Sequence, residues 1–156
     1  MTKKGLIAVV LTALVMGGVF AQENSRHIKP TFGMGFFSGS FGGSSETLLA
    51  NFIDVDFVNS FGLTLGLQSA MAWNDNIAEM HTFFGVGFTH VAPQWSAGLK
   101  LMSAAMINTG GLGIDANGTW WFMDNLGLTA AMSYYFNIGG ISWNIFGLRL
   151  GISTRF

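Results

Sequence analysis

The chain contains no cysteine, only two prolines and few charged residues. The absence of cysteine excludes disulfides, thiolate metal sites, a cysteine nucleophile and a lipidated cysteine of the lipoprotein type. Charged residues make up 10% of the 156 residues, whereas soluble domains carry roughly 25%, so a soluble protein of this composition would have difficulty covering its surface. The formal net charge of -1 gives no indication of nucleic-acid binding, which usually shows as a basic patch.

Long hydrophobic runs are also missing beyond the N-terminus, although half of the residues are hydrophobic. No run approaches the ~20 residues that a membrane-spanning helix needs. The hydrophobic residues are therefore dispersed among small and polar ones. This combination is typical of a membrane β-barrel, and the length suits a single domain.

The first segment has the three-part plan of a secretory signal peptide. Lys3 and Lys4 precede an apolar run from Leu6 to about Val15, and cleavage is expected after about Ala21. The alternative, an N-terminal membrane anchor, is disfavoured because the run is short for a span.

Removal of residues 1–21 would leave a mature chain with five basic and eight acidic residues. We expect residues 22–26 to form a short periplasmic segment and residues 27–156 to form the barrel.

Alternation with a period of two recurs along the mature chain. From Phe61 to Trp73 the odd positions are mostly large and apolar, and the even positions are small or polar. This is the period of a β-strand, and a helix would not keep it over such a length. Eight strands are predicted in this way, at residues 28–36, 49–57, 61–73, 80–88, 95–101, 112–122, 126–136 and 146–156.

Asn117-Gly118 is ordinarily a strong hairpin signal. Here the turn residues at 108–111 and 124–125 already bound a strand of suitable length, so a kink within that strand is the preferred interpretation.

The charged residues in the predicted strands all lie on the small or polar face. A barrel in lipid turns its apolar face outward and its polar face toward the lumen. Glycine and small residues dominate the polar face, as a narrow interior requires. We therefore predict a charge network in the lumen, formed by Lys29, Asp54, Asp56, Lys100, Asp115, Arg149 and Arg155.

Aromatic residues gather where the predicted strands end, as side chains at the membrane interface do. One girdle is predicted from Phe57, Phe61, Phe88, Trp95, Trp120 and Phe122, together with Phe156. A second girdle is predicted near the other end, from Phe36, Trp73, Tyr134 and Phe136.

The C-terminal segment 146–156 ends on an aromatic residue after alternating apolar positions. It resembles the assembly signal of bacterial outer-membrane barrels, which the barrel-assembly machinery recognises. The residues that carry this resemblance are Leu148, Leu150, Ile152 and Phe156. Thr154 departs from the pattern, since an apolar residue is usual there.

Together with the signal peptide and the strand count, this makes the mature chain similar to the small eight-stranded OmpA/OmpX/OmpW-like barrels. The resemblance implies an outer-membrane location, contact with outer-membrane lipid, and help from periplasmic chaperones during biogenesis. It also implies periplasmic termini and short periplasmic turns, for which Asn59-Ser60, Ala92-Pro93 and Asp124-Asn125 are suitable. The predicted outer loops are short for this family, at Gly39–Glu46, Asn74–Glu79, Ser103–Gly110 and Asn137–Ser142.

The lumen charges allow two interpretations. Asp54, Lys100, Asp115 and Arg149 are expected at comparable mid-depth, with the other three nearer the periplasm. A salt-bridged plug is preferred, because buried charges must pair. The alternative is a narrow polar conduit.

The preferred function is non-enzymatic, either structural or in surface interaction. The first alternative, which the OmpW-like resemblance implies, is a narrow channel or binding protein for small molecules, hydrophobic ones included. The second alternative is a lipid-modifying enzyme. An enzyme needs a nucleophile and a base near the lipid interface, yet His81, close to Glu79, is expected to be an ordinary lumen or rim residue. His27 and His90 are expected near the periplasmic end. No cofactor or metal is expected, since the calcium-repeat-like Gly110–Asp115 occurs once.

Overall fold

A computed structural model of the protein describes residues 25–41, 44–73, 78–105, 110–137 and 144–156. These residues form eight antiparallel β-strands. Their bounds are β1 Ser25–Phe41, β2 Ser44–Asn59, β3 Leu63–Trp73, β4 Ala78–Val91, β5 Trp95–Ala105, β6 Gly110–Met123, β7 Leu126–Asn137 and β8 Asn144–Thr154. The predicted signal peptide lies outside the described residues.

Each strand pairs with its neighbours in the sequence, and β1 also pairs with β8, which closes the sheet into a barrel. The closing seam pairs Thr31–Gly39 with β8, and beyond it two backbone hydrogen bonds of 3.1 Å join Ile28 to Phe156. The predicted fold class, an all-β up-and-down antiparallel barrel of eight strands, is confirmed.

The part of the chain that the structure describes contains no helix that is long and apolar enough to cross a membrane.

The barrel has two ends, which we name by their connections. At the turn end, residues 60–62, 92–94 and 124–125 connect the strands, and β1 begins and β8 ends there. At the loop end, the connections 42–43, 74–77, 106–109 and 138–143 lie outside the described residues. The turns are as tight as predicted.

The β2–β3 turn shows why this sequence reverses direction. The side-chain oxygen of Asn59 accepts the N–H groups of Phe61 and Leu63, each at 2.9 Å. Gly62 has φ 85°, a conformation that glycine adopts without steric cost.

Six of the eight strands are longer than predicted, mainly at the loop end. β3 begins two residues later than predicted, and β8 begins and ends two residues earlier. The prediction of an outer loop at Gly39–Glu46 is wrong, because β1 and β2 remain paired as far as Phe41, which lies opposite Ser44. Serine and glycine suggested a turn there, but ladder hydrogen bonds use backbone groups that every non-proline residue has. The other three predicted loops are shortened in the same way, and the rest of each lies outside the described residues. β1 begins at Ser25, within the predicted N-terminal segment 22–26.

β6 runs through Asn117-Gly118 without a turn, as predicted. Asn117 pairs with Gly98 on one side and with Ala131 on the other. The ladder on both sides leaves no backbone group free to start a hairpin.

Burial alternates along each strand, because successive side chains point to opposite faces of a sheet. In β8, Arg149 is 2% exposed, whereas its neighbours Leu148 and Leu150 are 39% and 63% exposed. The large apolar side chains of the strand centres are therefore exposed on the outside of the barrel.

Large inward side chains are paired with glycines on the neighbouring strand. A Cβ at Gly113 would overlap the ring of Tyr135, its partner across the β6–β7 ladder. The same arrangement joins Gly33 to Phe52, Gly85 to Met102, Gly127 to Trp121 and Gly147 to Phe37. An eight-stranded interior is just wide enough for side chains, so each wide residue needs an empty position beside it.

Candidate functional site

The middle of the lumen is filled by ion pairs centred on Lys100, which is 1% exposed. Its ammonium nitrogen lies 2.6 Å from Asp56, 3.5 Å from Asp54 and 3.6 Å from Asp115. One cation thus contacts three carboxylates that come from β2 and β6. Because like charges at this spacing repel strongly in a buried site, the three carboxylates depend on shared cations.

Two further cations complete the cluster. Lys29 lies 3.3 Å from Asp56. Arg149 pairs with Asp115 and lies 3.9 Å from Asp54, and its guanidinium stands 5.2 Å from the centre of the Phe52 ring. We call these three cations and three carboxylates the charged layer, and its formal charges cancel.

Space for the charged layer comes from a glycine on β3. A Cβ at Gly66 would lie 2.9 Å from a carboxylate oxygen of Asp56 and 3.1 Å from the ammonium nitrogen of Lys100. Any larger residue at this position would push apart the ion pair between Lys100 and Asp56. The absence of a side chain at Gly66, one of the small residues on the predicted polar face, therefore leaves room for this ion pair.

Hydroxyl groups extend the charged layer toward the turn end. Ser153 is hydrogen-bonded to Thr31 and to Thr129, and Thr129 is hydrogen-bonded to Thr119 at 2.6 Å. Lys29 donates to Thr119 at 3.5 Å and to the side-chain oxygen of Asn117 at 3.0 Å. The hydroxyl chain therefore connects β1, β6, β7 and β8 inside the barrel.

The loop-end half of the lumen is filled differently, by buried apolar and aromatic side chains. We call this set the apolar layer, formed by Phe37, Leu48, Phe83, Met102, Tyr135 and Ile145. The Tyr135 ring stacks on Phe83 with centroids 4.4 Å apart and meets Phe37 edge-on at 6.4 Å. The Tyr135 hydroxyl donates to Gln68 at 2.7 Å, which satisfies the polar end of a ring otherwise enclosed by apolar groups.

The turn end is covered by Arg155 and Trp121. The Arg155 guanidinium stands 4.6 Å from the Trp121 ring centre and donates to the backbone carbonyls of Asp124 and Pro93. It thereby connects two turns across the opening. Trp121 is 5% exposed, so the indole lies inside the mouth.

The structure brings six of the seven predicted network residues together. Lys29, Asp54, Asp56, Lys100, Asp115 and Arg149 are in the charged layer. Arg155 faces inward but lies apart, on Trp121 and the turn carbonyls. Sequence reasoning missed the apolar layer, because it treated the inward face as small or polar throughout.

The residues of the first predicted girdle all lie at the turn end and point outward. Their exposed fractions are Phe57 38%, Phe61 80%, Phe88 64%, Trp95 49%, Trp120 60%, Phe122 47% and Phe156 78%. The proposed assembly-signal residues also point outward, with Leu148 39%, Leu150 63%, Ile152 55% and Phe156 78% exposed. Near the loop end, Phe36 and Tyr134 are 38% and 46% exposed.

The two histidines whose side chains are described lie far apart. His81 is 5% exposed inside the loop-end half, with its ring 6.2 Å from Phe83. His90 is exposed at the turn end, 5.0 Å from Trp95. The side chains of His27 and Glu79 lie outside the described residues. Among the described residues, no group of three metal-ligating side chains is placed to hold an ion.

No protein-family model and no curated protein matches the chain, but solved structures share its fold. Neisserial surface protein A (NspA) has a TM-score of 0.63 at 13% identity, covering 83% of this chain and 97% of that one. Ail, the attachment invasion locus protein of Yersinia pestis, solved with the heparin analogue sucrose octasulfate, has a TM-score of 0.54 at 11% identity over 83% and 98%. The N-terminal β-barrel domain of Pseudomonas aeruginosa OprF has a TM-score of 0.53 at 14% identity over 86% and 100%.

These identities establish similarity of fold alone. The chain has the fold of the small eight-stranded outer-membrane β-barrels, as the resemblance of its C-terminal segment and strand pattern implied.

Proposed function

We propose that the protein is a structural barrel of the bacterial outer membrane whose lumen is closed by its own side chains. The filling of the lumen carries this proposal. The charged layer occupies the middle, the apolar layer occupies the loop-end half, and Arg155 and Trp121 cover the turn end.

The outward wall supports placement in a bilayer. Phe32, Met34 and Leu101 are 57%, 60% and 65% exposed, which would be costly in water at about 25 cal/mol for each Å² of apolar surface. Outer-membrane lipid is therefore the proposed partner of this wall. We extend the proposal to biogenesis, with the outward residues of β8 engaging the assembly machinery after chaperone delivery.

The binding of small hydrophobic molecules is less well supported. The cavity enclosed by Phe37, His81, Phe83, Tyr135 and their neighbours has a volume of about 10 Å³. A cavity of that size holds about one water molecule, so a ligand would have to displace the aromatic rings.

A lipid-modifying activity also lacks support from the described side chains. The lumen hydroxyls of Thr31, Thr129 and Ser153 bond to one another, and Thr119 bonds to Lys29. His81 packs on Phe83 inside the barrel and not at the lipid interface.

A surface interaction would take place at the loop end. Residues 38–48, 72–82, 102–112 and 134–146 contain no lysine or arginine and include three acidic residues. A polyanion of the kind bound in the Ail structure would meet only negative charge here. We propose that a partner at this end is uncharged or cationic.

Planar-bilayer recording tests the closed lumen. The mature chain is refolded in detergent, its folding is verified by heat-modifiable gel mobility, and the same sample is added to the bilayer beside a conducting porin as a positive control. We expect no steady open pore, because every layer of the lumen is occupied. Reproducible conductance of nanosiemens from the folded sample would overturn the proposal.

A further inference from the structure

Three buried polar groups lie between the charged layer and the turn end without a hydrogen bond to any described residue. They are the side-chain nitrogens Nδ2 of Asn117 and Nε1 of Trp121, and the hydroxyl of Ser96. The three residues are 7%, 5% and 3% exposed. Buried polar groups in folded proteins nearly always have a partner, which is either another protein group or an ordered water. These three groups therefore require a partner inside the lumen.

The three groups form a column along the wall of β5 and β6. Trp121 lies inside the mouth, and Asn117 lies four residues deeper on the same strand. Ser96 on β5 pairs with Thr119, midway between them. Successive inward residues of a strand are about 7 Å apart, and a hydrogen-bonded water lies about 2.8 Å from its partner. Each interval of the column thus has the length of a short chain of waters.

The other lumen hydroxyls at this level pair with one another. The hydroxyl chain joins β1, β6, β7 and β8, and Thr64 donates to Thr89 at 2.7 Å between β3 and β4. Within the described strands, the polar groups of this half that lack a hydrogen bond are confined to β5 and β6. The column is therefore a feature of one wall.

The deep end of the column contacts the charged layer. Lys29 donates to the side-chain oxygen of Asn117 at 3.0 Å and lies 3.3 Å from Asp56. Gly98, opposite Asn117 on β5, leaves room for the amide, because a Cβ there would lie 3.3 Å from both of its polar atoms. On the far side of the charged layer, the apolar layer leaves a cavity of only about 10 Å³. The column thus runs from the mouth to the charged layer.

We infer that a file of water molecules occupies this column and connects the charged layer with solvent at the turn end. Asn117 and Trp121 donate to water, and Ser96 can both donate and accept. A buried water needs two to four polar partners, which these groups and the neighbouring waters supply. Water enters past Arg155, whose bond to the Pro93 carbonyl is 3.4 Å long and exposed.

The barrel is then a blind, hydrated half-channel, reached by water from one end and closed by packing at the other. Through it, water and protons from the turn-end side reach Lys29 and the ion pairs behind it. This goes beyond the closed lumen of the proposed function, because a barrel that does not conduct ions can also be dry throughout.

Hydrogen exchange into D2O tests the inference on the folded, unsubstituted mature chain in micelles, followed by NMR. In a dry lumen, the Nε1 proton of Trp121 exchanges only when the barrel opens, as does the backbone N–H of the same residue, which donates to Gln94. With the water file, the Nε1 proton and the Nδ2 protons of Asn117 should exchange at least about tenfold faster than the backbone N–H groups, which need local opening. Equal rates would overturn the inference. Trp121→Phe identifies the indole signal.

A plug in the middle of the column tests where water enters. Ser96→Val fills that position, so exchange at Asn117 should slow to the rate of the backbone N–H groups while the Trp121 indole remains fast. Ser153→Val makes the same change on β8, away from the column, and should leave both rates unchanged. Unchanged exchange at Asn117 in Ser96→Val would contradict entry from the turn end.

The two comparisons also separate this inference from the proposed function. Heat-modifiable mobility verifies that each variant folds, and the first comparison needs no substitution, so it decides the inference even where a variant fails to fold. Slow exchange without conductance would refute the water file alone. Fast exchange together with conductance of nanosiemens would refute the closed lumen and, with it, the blind half-channel.

Discussion

In the middle of the barrel six charged side chains fill the lumen, whereas toward the loop end the same strands fill it with apolar and aromatic side chains. In the charged layer, six ion pairs with N–O distances of 3.9 Å or less connect three cations to three carboxylates. In the apolar layer, one side-chain hydrogen bond joins described residues, from the Tyr135 hydroxyl to Gln68. Both layers close the same lumen, by pairing in one case and by packing in the other.

The difference predicts how each layer tolerates substitution. A buried ion that loses its partner keeps its desolvation penalty, so the charged layer depends on every member. Packed apolar side chains tolerate exchanges that preserve volume, because no unsatisfied group results. Substitutions of similar size should therefore have unequal effects in the two layers.

The largest effect is expected for Lys100→Met. This change leaves three buried carboxylates without their common cation, and we expect a loss of about 3–5 kcal/mol in the free energy of unfolding. Urea unfolding in liposomes, followed by tryptophan fluorescence, measures the loss. Met102→Leu, two residues away on β5 in the apolar layer, is the matched control and should cost less than about 1.5 kcal/mol. Equal losses for the two variants would remove the distinction between the layers.

A smaller effect is expected where packing alone decides. Gly113→Ala would place a methyl group against the ring of Tyr135 and 2.9 Å from the Tyr134 carbonyl oxygen. The ring has little room to move between Phe37 and Phe83, so we expect a loss of about 1–3 kcal/mol by overpacking.

Gly118→Ala on the same strand is the control for Gly113→Ala. Its Cβ would have only Ser96 O nearby, at 4.0 Å, so we expect no loss and a gain of up to about 1 kcal/mol from the reduced flexibility of the unfolded chain. The same urea titration compares both variants. A loss at Gly118 as large as at Gly113 would show that backbone conformation, and not space in the lumen, requires these glycines.

The sequence predicts the residues of the charged layer but not the apolar layer. Charged residues in otherwise apolar strands stand out, and the alternation alone places all six charged-layer residues on one face. Their pairing could not be derived, because it depends on the stagger of the strands around the barrel. That stagger also separates Arg155 from the cluster, although its face was assigned correctly.

The apolar layer is not predicted because most of its residues lie just outside the predicted strands. Phe37, Leu48, Met102 and Ile145 each lie one residue beyond a predicted strand, and continuing the alternation by one step places each on the inward face. The predicted strands end there because serine and glycine, which favour loops, lie within a few residues of each strand end. Tyr135 lay inside a predicted strand on the polar face, yet a single aromatic residue gave no sign of the cluster around it.

The smallest effect concerns the one polar contact within the apolar layer. Tyr135→Phe keeps the ring and its stacking on Phe83 but leaves the side-chain oxygen of Gln68 without its donor. Because that oxygen is buried, we expect a loss of about 1–2 kcal/mol in the free energy of unfolding, with no conductance.

The adjacent tyrosine provides the matched control for that hydroxyl. Tyr134 points outward and is 46% exposed, so Tyr134→Phe removes the same atom from a solvated or interfacial position and should change stability by less than about 0.5 kcal/mol. If the two variants unfold at the same urea concentration, the hydroxyl bond contributes nothing and ring packing alone holds the loop-end half of the lumen. A larger loss for Tyr135→Phe would instead show that one satisfied polar group fixes the position of the ring on which Phe37 and Phe83 pack.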